Sequence, residues 1–319
     1  MGDERRVGVI GLGIMGRRMI EHMARHERFA PARLFDPSEA SREAAAALGA
    51  GAVVGSAEEA MEEVDLVYLA CPPAPRRAYA LMAAEAGRAI FLEKPLGVDV
   101  EESRDLVRRL AGARVAVNFT QAAGDALRTI RDDFESGGAG APAGADIVVT
   151  YPAWPRAWQA DADWLRFREE GGFTREVVSH FLFFTARVLG PLRLVWSRPG
   201  FPADPALCET HMAAELRTEQ GAPVSVFASV GGAQPDRQEM TIKGAARSWR
   251  VSEFFQLSRS DGGPFAPVGA APADPRAPAL RAQLDELDKM IAGEPHLLAS
   301  PEEGLAAQEL VEAMLAGRG

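Results

Sequence analysis

The run Arg6–Gly11 (RVGVIG) is apolar, rich in β-branched residues and stopped by glycine, so it reads as a buried strand. The glycine-rich stretch directly after it constrains the fold more than any other part of the chain. Gly11-Leu12-Gly13-Ile14-Met15-Gly16 fits G-x-G-x-x-G, and from Gly13 to His26 the apolar residues Ile14, Met15, Met19, Ile20 and Met23 return at helical spacing. The next strand, Ala32–Asp36, ends in a carboxylate about 20 residues beyond the last glycine. Glycines alone would be a weak signal, since many turns hold two. A strand before them, a helix after them and an acid at the end of the next strand together specify a dinucleotide-binding βαβ unit.

Each residue of the pattern has a physical role. Gly11 makes the tight turn, Gly13 lets the backbone approach a pyrophosphate, and Gly16 lets helix and strand pack closely. The first helical residues, Ile14 and Met15 among them, offer amides and a positive dipole end to the phosphates. Asp36 can accept from both ribose hydroxyls of NAD and would face the 2′-phosphate of NADP, and Pro37 and Ser38 rather than an arginine come next. The expectation is that NAD(H) is preferred over NADP(H), which remains an alternative cofactor.

Strand and helix go on alternating. The Ala-rich helix Glu39–Leu48 ends at Gly49, Ser56-Ala-Glu-Glu resembles a capping box, and Leu66–Ala70 is a buried strand stopped by Cys71-Pro72-Pro73. A helix over 76–86, the strand Ala89–Glu93, a helix capped by Asp99 and the strand Arg114–Asn118 complete the series. Short connections imply parallel pairing and right-handed crossovers, hence a doubly wound sheet. Beyond Asn118 the rhythm changes. A helix over 124–135 and a Gly/Ala/Pro loop over 137–144 lead to the strand Ile147–Tyr151 and an irregular Trp- and Pro-rich segment over 154–173. A helix over 173–189 is stopped by Gly190-Pro191, and the runs LRLVW, THMAAELR, VSVFASV, EMTIKG and SWRVSEF predict consecutive strands in an antiparallel sheet. A Gly/Pro/Ala-rich loop over 261–278 and helices over 280–292 and 301–316 close the chain.

At 319 residues two domains are expected, a dinucleotide-binding one over 1–120 and a substrate-binding and oligomerisation one over 121–319, whose last helix can pack back on the first. A net charge of −10 argues against nucleic acid as a partner. The residues after Met1 do not form a signal peptide, no apolar run reaches the ~18 residues of a membrane span, and Cys71 and Cys208 lie far apart. The chain is therefore expected to be cytoplasmic, with reduced thiols. His22 and His26 share a helix face without a third ligand and read as a solvated pair, so no metal is expected.

Glu93-Lys94-Pro95 ends a strand on the sheet edge where ligands bind. A lysine there would lie near a nicotinamide and could donate to a substrate oxygen, and Pro95 fixes its approach. The loop Cys71-Pro72 and Glu93-Lys94 join Gly11, Gly13, Ile14, Met15, Gly16 and Asp36 as the candidate cofactor-binding set.

These motifs resemble the Gfo/Idh/MocA oxidoreductase family. The likeness runs along most of the chain: GLGIMG, FDPS, the Pro72-Pro73 loop, EKP, Asn118, a Gly-Gly pair before a His-bearing helix, a strand-rich second half and a last helix beginning Pro301-Glu-Glu-Gly-Leu. It implies a Rossmann domain with a doubly wound parallel sheet, then a C-terminal α/β domain on an open, mostly antiparallel sheet that offers an oligomer surface. It also implies NAD(P)-dependent redox chemistry, most often on sugars or cyclitols.

The family pattern Asp-x-Gly-x-His-x-x-Asp on the second-domain helix is met here by Glu176, Val178, His180 and Phe183. The resemblance thus carries a Lys–acid–His set onto Lys94, Glu176 and His180, the acid one methylene longer, and Phe183 makes one corner of the site apolar. Residue spacing is compatible with this. Glu176 and His180 are i, i+4 neighbours on a face apart from the stripe Val177, Phe181, Phe184, Val188, and a carboxylate beside an imidazole suits proton transfer near neutral pH.

Asn118, Trp154, Arg156, Trp164 and Phe183 are the candidate substrate contacts, with Trp158 and Arg166 in the same irregular segment. Three functions fit these residues: an alcohol/ketone dehydrogenase on a small polar substrate, an imine reductase of the same fold, and a catalytically silent NAD-sensing regulator. A homodimer or homotetramer is expected, because a strand-rich second domain with few helices should leave an apolar sheet face to cover.

Overall fold

In a computed structural model, residues 4–269, 274 and 276–319 are described. The first three residues of the terminus expected to lack a signal peptide, and 270–273 and 275 of the predicted loop over 261–278, lie outside the described residues. The chain forms two units, residues 1–119 with 280–305 and residues 120–279 with 306–319. Residues 280–305, assigned to the second domain by the division at 120, belong to the first unit.

The first unit contains β1 (Arg5–Ile10), α1 (Ile14–Ala24), β2 (Phe29–Phe35), α2 (Glu39–Ala46), β3 (Ala52–Val53), α3 (Ala57–Ala60), β4 (Leu66–Leu69), α4 (Pro73–Glu85), β5 (Ala89–Glu93), α5 (Val100–Arg109) and β6 (Val115–Asn118). Its strands pair in the order β3-β2-β1-β4-β5-β6, all parallel. The order reverses between β1 and β4, which is where an open sheet of this kind leaves a crevice for a ligand. β4 and β5 are buried along their whole length, as strands covered on both faces must be. Leu280, Leu284, Leu287 and Met290 join Val7, Val9, Tyr68 and Phe91 in one core cluster. Asp99 caps α5 by accepting from the Glu102 amide at 2.9 Å. Ser56 caps α3 by accepting from the Glu59 amide at 3.2 Å, while Glu59 turns back to the Gly55 amide, one residue earlier than in a capping box.

The second unit is built from α6 (Asp125–Glu135), β7 (Pro142–Tyr151), α7 (Ser179–Leu189), β8 (Leu192–Gly200), β9 (His211–Thr218), β10 (Pro223–Val230), β11 (Arg237–Gly244), β12 (Ser248–Ser252), β13 (Gln256–Ser260) and β14 (Ala266–Pro267). The chain ends with α8 (Arg276–Ala292) and α9 (Pro301–Ala316). The sheet runs β14-β13-β12-β11-β7-β10-β9-β8, antiparallel except for the β7–β10 pair. Along β10 the alternation is clean: Val224, Val226 and Ala228 are buried, and Ser225 and Phe227 point the other way. The buried face packs against α7, which also meets α6.

The opposite face is not the apolar surface expected. Phe227 is 52% exposed there, but the rows around it are polar. Trp196 donates to Glu215, Lys243 pairs with Asp146, and Arg250 meets Thr241 and Glu239. Among the described residues no helix is long and apolar enough to cross a membrane.

Candidate active site

Gly11 has φ +99, and a β-carbon on it would lie 2.4 Å from the Cys71 amide nitrogen, so only glycine makes this turn from β1 against the end of β4. A β-carbon on Gly16 would lie 2.0 Å from the Gly11 carbonyl oxygen, the close helix–strand packing that the third glycine provides. Gly13 differs: a β-carbon there would meet nothing within 4 Å. It caps α1 without a side-chain hydrogen bond, and the first turn of that helix holds no acid. Open space above bare helix-terminal amides is what a pyrophosphate requires, so the residues present fit a dinucleotide. Ile14 and Met15 are half-buried in that first turn, Cys71 is buried behind it, and Pro72 is exposed.

Asp36 is fixed by two backbone donors, Leu12 N–H at 2.7 Å and Ser38 N–H at 2.8 Å. It is thereby tied to the glycine turn itself. Arg42, which the sequence pattern does not single out, folds its Nη1 back onto the carbonyls of Asp36 and Pro37, at 2.7 and 3.1 Å. An arginine thus stands beside Asp36 although none comes directly after it in the chain.

At the end of β5, Glu93 and Lys94 are both buried. Glu93 Oε1 accepts from the Tyr68 hydroxyl at 2.5 Å and from Asn118 Nδ2 at 2.6 Å, joining the ends of three adjacent strands. Gln283 Nε2 donates in turn to Asn118 Oδ1 at 2.8 Å. Burial pushes the Glu93 carboxyl up, opposed by the Tyr68 hydrogen bond and the Lys94 and Arg76 charges. Burial beside Glu93 raises the Tyr68 phenol well above its ordinary range. Asn118, a candidate substrate contact, is 2% exposed with its amide engaged at both ends, which gives it the geometry of a positioning group. Arg76, also buried, donates to the carbonyls of Cys71 and Pro95 and so links the two loops of the candidate cofactor set.

In the second unit the predicted helix over 173–189 begins differently. Thr174–Val178 is a π-helical turn, and α7 starts only at Ser179. Glu176 is half-buried within that turn, and His180 is the second residue of α7. Every residue from Val177 to Thr185 is buried, His180 included at 9% exposure, so the separate apolar stripe expected on this helix is absent: nearly all its faces are covered. The His180 ring meets Phe254 edge-on at 5.7 Å, and Phe181 stacks on the same ring at 5.1 Å. Phe183 is buried, with the Arg187 guanidinium 4.9 Å above its ring.

Trp154 is half-buried, and its indole N–H donates to the Leu165 carbonyl at 2.9 Å, between Tyr151 and Phe173. Arg156 is held at 5.1 Å over Tyr151, 5.7 Å over Trp154 and 4.6 Å over Trp158, which is 44% exposed. Trp164 sits half-buried in the 3₁₀ turn Asp163–Arg166. His26 is buried, not solvated, its ring set between Asp285 and the Arg28 amide. No group of three or more His, Cys, Asp or Glu among the described residues could hold a metal ion.

Residues 5–120 match the Gfo/Idh/MocA model, described as an oxidoreductase family with an NAD-binding Rossmann fold. An inositol 2-dehydrogenase from Mycolicibacterium vanbaalenii is 30% identical over 250 residues, 74% of this chain and 70% of that protein. The chain belongs to the Gfo/Idh/MocA oxidoreductase family. A second inositol 2-dehydrogenase, from Saccharopolyspora erythraea, is 32% identical over 166 residues, 49% of this chain and 48% of that one. The chain spans about half the length, or less, of several of the curated relatives it matches. Among solved structures, a 3-ketoreductase from Actinomadura kijaniata in complex with NADP and TDP-benzene matches with a TM-score of 0.82 at 18% identity, over 99% of this chain and 98% of that one. At that identity the likeness speaks for the fold. The glycine turn and the lysine motif of this Gfo/Idh/MocA protein are visible in its sequence. The bonds of Tyr68, Asn118 and Gln283 behind the lysine motif are not, because they join residues distant in sequence.

Proposed function

We propose that this chain is an NAD-dependent dehydrogenase that exchanges a hydride with a small polar substrate, a sugar, sugar derivative or cyclitol. The observation that carries the reading is the strand-end pair Glu93–Lys94, buried on the same edge of the parallel sheet as the open glycine turn and Asp36. Gly11, Gly13, Ile14, Met15 and Gly16 would hold the pyrophosphate, Asp36 the ribose hydroxyls, and Cys71, Pro72 and Lys94 the nicotinamide half. When bound, the nicotinamide supplies hydride exchange at its C4, and the protein supplies placement. Lys94 donates to the reacting oxygen and stabilises charge developing on it. His180 gives or takes the proton, and Glu176 holds the imidazole. Glu93 acts behind Lys94, as a fixed carboxylate rather than a cofactor contact.

Asp36 favours NAD over NADP, since its carboxylate would oppose a 2′-phosphate. Trp154, Arg156, Trp158, Trp164 and Phe183 are the second unit's polar, aromatic and apolar candidates for substrate contact. The free, buried thiols of Cys71 and Cys208 suit a reducing compartment, the cytoplasm. A homodimer or homotetramer remains the proposed assembly, with Phe227 at the centre of the sheet face that would meet a second copy.

The test is turnover of NAD⁺ and NADH against a panel holding myo-inositol, free and nucleotide-linked sugars with their keto forms, and cyclic imines. Turnover of a polyol or keto sugar is expected. Turnover of imines alone would move the reaction to a C=N bond, and NADH binding without any turnover would favour a sensing role.

A further inference from the structure

We propose that Glu209 is a positioning residue for the His180-bearing helix, acting as an internal carboxylate cap on the π turn that carries Glu176; the inference rests on the dehydrogenase reading above. Glu209 follows β8 in the chain and is only 2% exposed. Its Oε1 accepts from the Thr174 N–H at 2.8 Å, the amide that opens the π turn. The other oxygen, Oε2, lies 2.4 Å from where a β-carbon on Gly172 would stand, and Gly172 has φ +104. Gly172 therefore has a physical reason, since it leaves room for a carboxylate under the start of the helix, while a β-carbon on Gly171 would meet the Leu165 carbonyl oxygen at 2.4 Å.

A second clamp acts one residue further on. Arg175 forms a bidentate pair with Glu312 of α9, at 2.6 and 2.8 Å, while its Nη1 donates to the carbonyls of Arg168 and Gly171. Residues 174 and 175 are thus each fixed by a buried or half-buried side chain distant in sequence, and Glu176 comes next. A π turn holds one more residue per hydrogen-bonded ring than an α turn, so it changes the angular offset between Glu176 and His180. Without an anchor, the segment could relax to a plain α-helix and carry Glu176 around the axis. Burying a carboxylate is costly unless it is hydrogen-bonded, and the Thr174 amide supplies that bond. In this proposal the bond holds Glu176 and His180 in register.

Glu209→Ala, Glu209→Gln and Glu209→Asp test this in the full chain, with NADH affinity as control and His180→Ala to assign the His180 ring resonance by NMR. Glu209→Ala is expected to move that resonance at fixed pH and to lower kcat on the substrate found in the panel by about 10-fold or more, since small misplacements of reacting groups carry losses of this order. NADH affinity should stay within about twofold of the parent, as the glycine turn is untouched. Glu209→Gln keeps an acceptor for Thr174 and should restore both readouts.

An unmoved resonance with parental kcat, whatever the melting temperature, would overturn the proposal, and so would a Gln variant as impaired as the Ala one. If Glu209→Ala does not fold, Glu209→Asp, which withdraws the acceptor by one methylene, takes its place against Glu209→Gln with the same criteria. Absence of turnover by the parent on every substrate of the panel would instead defeat the dehydrogenase reading itself, and full turnover by His180→Ala would remove His180 from the chemistry.

Discussion

Among individual residues, the carboxylates separate into those that sequence could locate and those it could not. Asp36 was legible because it ends a strand at a fixed distance from a glycine turn. Its anchoring to the Leu12 and Ser38 amides explains why it cannot swing away from a 2′-phosphate. NAD(H) should therefore bind at least ~10-fold tighter than NADP(H), about 1.4 kcal/mol, and Asp36→Ser should narrow the gap with Arg42 close by as a cation. Calorimetric titration of both cofactors decides this, and equal parental affinities would sink it.

Glu93 was legible as part of EKP, but its bonds to Tyr68 and Asn118 were not, because they cross three strands. Burial raises its pKa, so the folded state keeps a proton that the unfolded chain releases above the ordinary glutamate value of 4.5. Stability from this group is then full below that value and lost as pH rises. Glu93→Gln cannot ionise and should gain stability relative to the parent from pH 4.5 towards neutrality. Urea unfolding across that range would show the gap moving in that direction; a constant gap would mean that Glu93 titrates normally.

Among the helices and strands, chemistry was read well where it was local. Ser56 and Asp99 cap the helices they precede, and the Gly190 stop ends α7. β3 escaped because it is two exposed residues with no pattern to detect, and β2 begins earlier than expected because Phe29 pairs with Arg5. The π turn had no sequence signal, since the side chains that bond to its residues 174 and 175, Glu209 and Glu312, are distant in sequence. The Gly-Gly pair was its only local trace. Gly172→Ala combines a positive φ with a clash against the Glu209 carboxylate, and should destabilise the protein by about 1–3 kcal/mol. A denaturant midpoint equal to the parent's would show that the carboxylate yields freely.

For the whole molecule, alternating strand and helix signals were enough to give the parallel sheet, and consecutive strand signals the mostly antiparallel one, because each pattern permits few connections. What sequence could not give was the character of the second sheet's outer face. Alternation says which residues leave the core, not that they pair with one another as Lys243 and Asp146 do. A polar face with Phe227 at its centre still suits a closed symmetric contact, and light scattering at micromolar concentration should return a dimer or tetramer mass that Phe227→Arg reduces. A monomeric parent would exclude that assembly.

Whether Lys94 and His180 act on the reacting atoms is decided by kcat on the identified substrate with NADH affinity measured alongside. Lys94→Ala and His180→Ala should each lower kcat by roughly 10²-fold or more, the scale for positioned proton donors and acceptors. Both should bind NADH as the parent does. Near-parental kcat in His180→Ala would contradict the proposed chemistry, and loss of NADH binding in both would show that these residues serve the cofactor and not the reaction.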